Sequence, residues 1–214
     1  MEKGAWLTEL SRMLNKNGIE TAPFLNGELP VLLDGECVCR IGSGGLYHRD
    51  KDLQSAQALD VYDKAEDTAR LVRDYMTAME QAPPLKAAGL GEQYRLLADF
   101  GGYVLAGQNT TQGMEFITWN WDYDRRGVTT GHFFYDDYEA AKEDFALRSG
   151  LVQKDKLFTP EQLAAVSHCI ERTADFDAAL TYDQEKALKE IQEKICDLVP
   201  GLREQSGQVP QQSM

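Results

Sequence analysis

The sequence predicts an α+β fold: a central antiparallel β-meander with helices packed on one face, plus an N-terminal helix and β-hairpin. Three observations carry this expectation. Apolar and polar residues alternate in four short runs between Tyr94 and Tyr135, with turn signals between them. Helical stripes gather before and after that stretch and do not alternate with its strands. Two of the later helices open on a Thr-x-x-Gln capping box, in which the threonine and glutamine side chains satisfy backbone N–H groups reciprocally.

Taken in order, the first helix runs from about Ala5 to Lys16. Trp6, Leu10, Met13 and Leu14 share one stripe, and Asn17-Gly18 stops it. Asp34-Gly35 between VLL and ECVCRI signals a two-residue hairpin over Pro30–Ile41. Gly42-Ser43-Gly44-Gly45 reads as a flexible loop, because no helix start follows to present N–H groups to a phosphate. A second helix spans about Leu59–Gln81. Tyr62, Ala65, Ala69, Val72, Met76 and Met79 recur every three or four residues there, and Pro83-Pro84 ends it and opens a linker to Gly91.

The four strand candidates are Tyr94–Phe100, Tyr103–Gly107, Met114–Tyr123 and Val128–Tyr135. Gly101-Gly102 joins the first two, and Asp124–Gly127 the last two. A helix over about Asp137–Arg148 should cover the Trp119/Trp121 face of this sheet. Thr159 and Thr181 cap two more helices, with Leu163, Val166 and Ile170 on one stripe and Leu188, Ile191, Ile195 and Leu198 on the other. The expected organisation is a helix–hairpin–helix section over 1–84, a meander plus three helices over 85–200 sharing its core, and a polar, disordered tail over 201–214.

A formal net charge of -13 bears on function by exclusion. Such a chain repels phosphate backbones and anionic lipid, so direct nucleic-acid or membrane binding is not expected. No window approaches the ~18 apolar residues of a membrane span, and the N-terminus lacks a signal-peptide pattern, so a cytoplasmic location is expected. Cys37, Cys39, Cys169 and Cys196 then read as free, mostly buried thiols. A zinc site from Cys37, Cys39, His168 and Cys169 is the alternative, but paired C-x-x-C spacing is missing.

Acids and aromatics concentrate in FITWNWDYDRRGVTTGHFFYDDY, Phe116 to Tyr138. On a strand, Ile117, Trp119, Trp121 and Tyr123 share one face, which is either core or a partly exposed aromatic platform of the kind that anchors interfaces. Asp122 and Asp124, joined by His132 or Asp136, have the oxygen-rich character of a divalent-cation site. The competing account is a solvated hairpin tip in which Arg125 and Arg126 neutralise the acids. No Walker, G-x-S-x-G or H-E-x-x-H pattern occurs, so no catalytic residue, metal ligand or cofactor is assigned. From Glu115 to Phe145 eight acids face three bases, a local excess that suits phosphate mimicry better than the last helix, whose lysines interleave its acids.

The stretches YRLLADFGGYVLAG, FITWNWDYDRRGVTTGHFF, YEAAKEDFALRSGL, LFTPEQLAAV and LTYDQEKALKEIQEKI, within about Tyr94–Val199, resemble accessory proteins of conjugative and other mobile elements in gut bacteria. The resemblance implies a setting, not a catalytic residue. The leading expectation is a non-enzymatic, acidic interaction module with a basic protein partner. Its interaction patch comprises Trp119, Asp122, Tyr123, Asp124, Arg125, Arg126, His132, Tyr135, Asp136 and Asp137. The alternatives are an anti-defence nucleic-acid mimic and a metal-dependent enzyme using the Asp122/Asp124 region.

Overall fold

In a computed structural model, residues 3–24, 26–154, 157–176, 179–199 and 202 are described. Apart from Leu202, the tail expected over 201–214 lies outside them. Two compact units divide the chain at Leu151/Val152.

The first unit opens with α1 (Lys3–Lys16), whose Trp6, Leu7, Leu10, Met13 and Leu14 are buried. Gly18, at φ 77, ends the helix in the left-handed region that glycine adopts without penalty. A four-stranded antiparallel sheet follows: β1 (Glu20–Thr21), β2 (Leu29–Leu33), β3 (Glu36–Gly42) and β4 (Gly45–Tyr47), in sequential order. Asp34 and Gly35 both have positive φ, the mirror-image turn that fits strand twist. The glycine segment expected to be a flexible loop is a second hairpin. Gly42 pairs with Gly45 and Ile41 with Leu46, so Leu46 is carried back against the core.

Ser55 caps α2 (Ala56–Gln81) by accepting from Ala58 N at 3.0 Å. Small residues Ala65, Thr68 and Ala69 on its buried face leave room for close packing, and Val72, Tyr75, Met76 and Met79 continue the stripe. The meander is β5 (Arg95–Phe100), β6 (Tyr103–Thr110), β7 (Gly113–Trp121) and β8 (Val128–Tyr135), antiparallel in that order. The β7–β8 ladder shifts register twice, after Phe116 and after Thr118, and Thr130 and Tyr135 take positive φ at these irregularities. Asp137 caps α3 (Tyr138–Arg148) by accepting from Ala140 N at 2.9 Å.

The two faces of the meander are covered differently. Leu97, Leu105 and Phe116 join α1, α2, α3 and the first sheet in one core that also draws residues from both sides of position 84. Tyr75, Phe116 and Tyr138 form its aromatic centre, with ring centroids 4.7–5.9 Å apart. Helix α3 therefore packs on the Phe116/Thr118 face, not on the expected Trp119/Trp121 face. Its Arg148 donates to Thr118 O at 3.1 Å and Thr118 Oγ1 at 2.7 Å, and Phe145 enters the main core. The cause is the short connection: Asp137 N donates to Phe134 O, and Phe134 already faces this core.

Val104, Ala106, Ile117 and Trp119 on the other face are covered by the segment expected to be a linker. That segment is a strap. Leu85 is 4% exposed, Leu85 N donates to Tyr94 O at 2.8 Å, and Ala88 N donates to Arg126 O at 2.6 Å. Pro83 and Pro84 forbid a helix, yet Leu85, Ala87 and Leu90 supply apolar contacts to an otherwise open sheet face.

In the second unit, α4 (Pro160–Phe176) and α5 (Tyr182–Leu198) pack together. Both expected capping boxes form: Thr159 with Gln162 and Thr181 with Gln184. Ile170 and Ile195 are buried, whereas Val166, Ile191 and Leu198 are exposed. No helix among the described residues is long and apolar enough to cross a membrane.

Candidate functional site

Two turns meet at one end of the meander. β5 reverses into β6 at Gly101-Gly102, with φ of 60 and 84. A Cβ on Gly101 would lie 2.3 Å from Ser149 O, so the close approach of the end of α3 requires glycine there. β7 reverses into β8 through Asp122–Gly127, and Trp121 N donates to Gly102 O at 2.9 Å, tying the two turns together. Phe100 and Tyr123, 53% and 106% exposed, are thereby presented at the same end.

Asp122 builds the second turn. Its N–H donates to Gly127 O, its carbonyl accepts from Arg125 N, and its carboxylate accepts from Arg126 N at 2.8 Å. Backbone donors, Gly127 foremost and then Arg126, hold the Asp122 carboxyl below the ordinary carboxylate range despite the burial that opposes them. Arg125 sits in the left-handed region at φ 56, and its guanidinium lies 5.2 Å from the Trp121 ring centroid while pairing with Asp99. Arg126 pairs with Asp124 at 3.3 Å. Of the expected hairpin-tip neutralisation only Arg126 with Asp124 forms; Arg125 turns to Asp99 instead, and Asp122 is held by backbone donors.

The ten expected patch residues do not form one surface. Asp122, Tyr123, Asp124, Arg125 and Arg126 gather at the meander end. Trp119 is 6% exposed, with Tyr94 edge-on at 5.2 Å beneath the strap. On the α3 face, His132 Nδ1 meets Asp144 Oδ1 at 3.0 Å, and Asp144 also accepts from Thr118 Oγ1. Tyr135 is exposed on β8. Asp137 is spent on its helix cap, and Asp136 accepts from Arg12 at 2.8 Å and Lys16 at 2.6 Å, which fastens α1 to the start of α3. The cation site imagined for Asp122 and Asp124 with His132 or Asp136 is not assembled, because the latter two are engaged elsewhere. Among the described residues no three or more His, Cys, Asp or Glu side chains come together as metal ligands. Cys37 and Cys39 lie in the first unit, His168 and Cys169 in the second. Burial, with Cys37 beside it, pushes the Cys39 thiol up to about 12, the behaviour of an inert core thiol.

Sequence reasoning missed two groups. Asp99 and Phe100 belong to the meander end but sit in β5, apart from the acid-aromatic stretch that drew attention. The other is a buried polar cluster centred on Glu9. Its carboxylate accepts from Arg12 Nε at 3.0 Å, Arg12 Nη2 at 2.8 Å and Tyr75 Oη at 2.7 Å. Burial pushes the Glu9 carboxyl up, but the bonds from Arg12 and Tyr75 outweigh it and hold the carboxyl below its usual range. Arg12 follows Glu9 at helical spacing, which is legible; Asp136 as its second partner is not. A groove of about 380 Å³ opens beside this cluster, walled by Ala5, Thr8, Met76 and the β6–β7 turn.

No family model matches this chain, and no curated protein or solved structure matches it.

Proposed function

We propose that this protein is a non-enzymatic, acidic interaction module of a mobile genetic element, and that it engages a basic protein partner through the end of its meander. The observation that carries the reading is the pairing of two exposed aromatics, Phe100 and Tyr123, with the carboxylates of Asp99, Asp122 and Asp124 around the same two turns. Aromatic rings supply anchoring area at small entropic cost, and the surrounding acids on a chain of net charge -13 steer an oppositely charged partner. The element setting comes from the resemblance of the region after Tyr94. Phosphate mimicry calls for acids turned free to solvent. Asp122, Asp136 and Asp137 are instead engaged by a turn, two cations and a helix cap, which favours the module over the mimic.

The test is site-specific photo-cross-linking in cells that carry the element, with a photoreactive residue placed at Tyr123 or, for comparison, at Asp67 on exposed α2. Capture of one basic protein from position 123 alone, declining as salt rises during lysis, is the expected result. Equal capture from both positions, or capture insensitive to salt, would overturn the proposal.

A further inference from the structure

The meander end contains a guanidinium site that the chain itself fills. Trp121 contributes an aromatic face and Asp99 a carboxylate, and Arg125 occupies both: its guanidinium carbon is 5.2 Å from the ring centroid and its Nη2 donates to Asp99 Oδ2. A ring beside a carboxylate is the arrangement that distinguishes arginine from lysine, because the planar guanidinium stacks on the ring and presents N–H groups in the same plane. The Trp121 ring and the backbone that carries Asp99 are positioned independently of their occupant. Trp121 N is held by Gly102 O at 2.9 Å and the side chain packs against the second core, while Asp99 is fixed in the β5–β6 ladder opposite Val104. The occupant is held less firmly. The Arg125 side chain is 54% exposed, on a backbone in the left-handed region at φ 56.

We propose that Arg125 is an internal placeholder, and that the partner of this module inserts an arginine of its own between Trp121 and Asp99 as Arg125 swings out. The inference rests on the module reading and gives its partner a specific chemistry: an exposed arginine on a basic protein, flanked by surface that meets Phe100 and Tyr123. Displacement is isocoulombic at the site, since one guanidinium replaces another, so the carboxylate is never left without a cation. Selectivity for arginine over lysine follows from the stacked ring.

An exposed ion pair reinforced by a stacked ring favours the occupied arrangement by roughly five to one. Removing the competitor should therefore tighten binding of an external arginine about five- to six-fold. The experiment titrates the full chain with the capped peptide Ac-Gly-Arg-Gly-Arg-Gly-NH2 and follows the indole N–H resonance of Trp121. Arg125→Gly keeps the left-handed backbone unstrained and empties the site. Arg126→Ala removes the same charge from the neighbouring position without emptying it, and so reports the general electrostatic gain.

Arg125→Gly should bind the peptide about five-fold tighter than Arg126→Ala, Asp99→Asn on top of Arg125→Gly should abolish that gain, and the lysine counterpart of the peptide should bind more weakly. Equal affinities for Arg125→Gly and Arg126→Ala, or an equal response to the lysine peptide, overturns the placeholder. The two proposals fail separately. If nothing cross-links at position 123 while the peptide affinities keep this order, the site stands and the module reading falls. If a partner cross-links there but binds Arg125→Gly no more tightly than Arg126→Ala, the module stands and the placeholder falls.

Discussion

Replacing Glu9 by Gln tests how α1 is locked onto the rest of the first unit. The carboxylate is 10% exposed and accepts three hydrogen bonds, two from Arg12 and one from Tyr75. An amide of the same shape loses the charge and turns an N–H group toward donors. Breaking one partner of a fully buried ion pair costs about 3–5 kcal/mol, because the remaining charge is stranded. Here Arg12 is 30% exposed and keeps Asp136 at 2.8 Å, so it is not stranded. The loss should fall to about 2–3 kcal/mol, set by the weakened charged hydrogen bonds and the misplaced amide donor. Tyr75→Phe, which removes one hydrogen bond to the carboxylate, should cost about 1.5–2 kcal/mol, and the two effects should not add, since they share an acceptor. Urea unfolding followed by tryptophan fluorescence is the suitable assay. All three tryptophans, Trp6, Trp119 and Trp121, lie in the first unit, so the signal reports on that unit alone. A loss below about 0.5 kcal/mol for Glu9→Gln, or strict additivity with Tyr75→Phe, would refute the account of this cluster as a lock.

Two further outcomes follow from the packing and the charges. Leu85→Ala should cost about 2–4 kcal/mol and red-shift the tryptophan emission, because Leu85 is 4% exposed and covers the face that carries Trp119; an unchanged spectrum and stability would mean that the strap is only a linker. The pH dependence has a defined sign. Burial works against the charged forms of Glu9 and Asp136, but their cationic and hydroxyl partners hold both carboxyls below their unfolded values. Their contribution is therefore complete above the unfolded carboxylate range, about pH 4–4.5, and is lost as pH falls through the lower folded values. Equilibrium unfolding between pH 7 and 3 should show a decline confined to that acid window, and Glu9→Gln should flatten it.

Much of this protein was settled locally. Strand periodicity, the Asp34-Gly35 reversal, the Gly101-Gly102 turn and the threonine caps depend on residues within a few positions of one another, so the elements of the meander and the helices were legible from their own residues. Even the pairing of Asp124 with Arg126, and the bond the Asp122 carboxylate accepts from Arg126 N, are short-range matters. What joined those elements was not legible. The side of the sheet that received α3 was decided by Phe134 and a two-residue connection, and the Trp119 face went to a segment whose prolines read only as a helix stop. Arg12 found Asp136 across 124 positions of sequence. Asp99 met Arg125 only because two hairpin turns converge, and that same convergence put Phe100 and Tyr123 at one end of the sheet. Alternation specifies that a strand has two faces, but it carries no information about which neighbour will cover each one. That choice minimises exposed apolar area over the whole unit at once, and it is made only when the chain closes on itself.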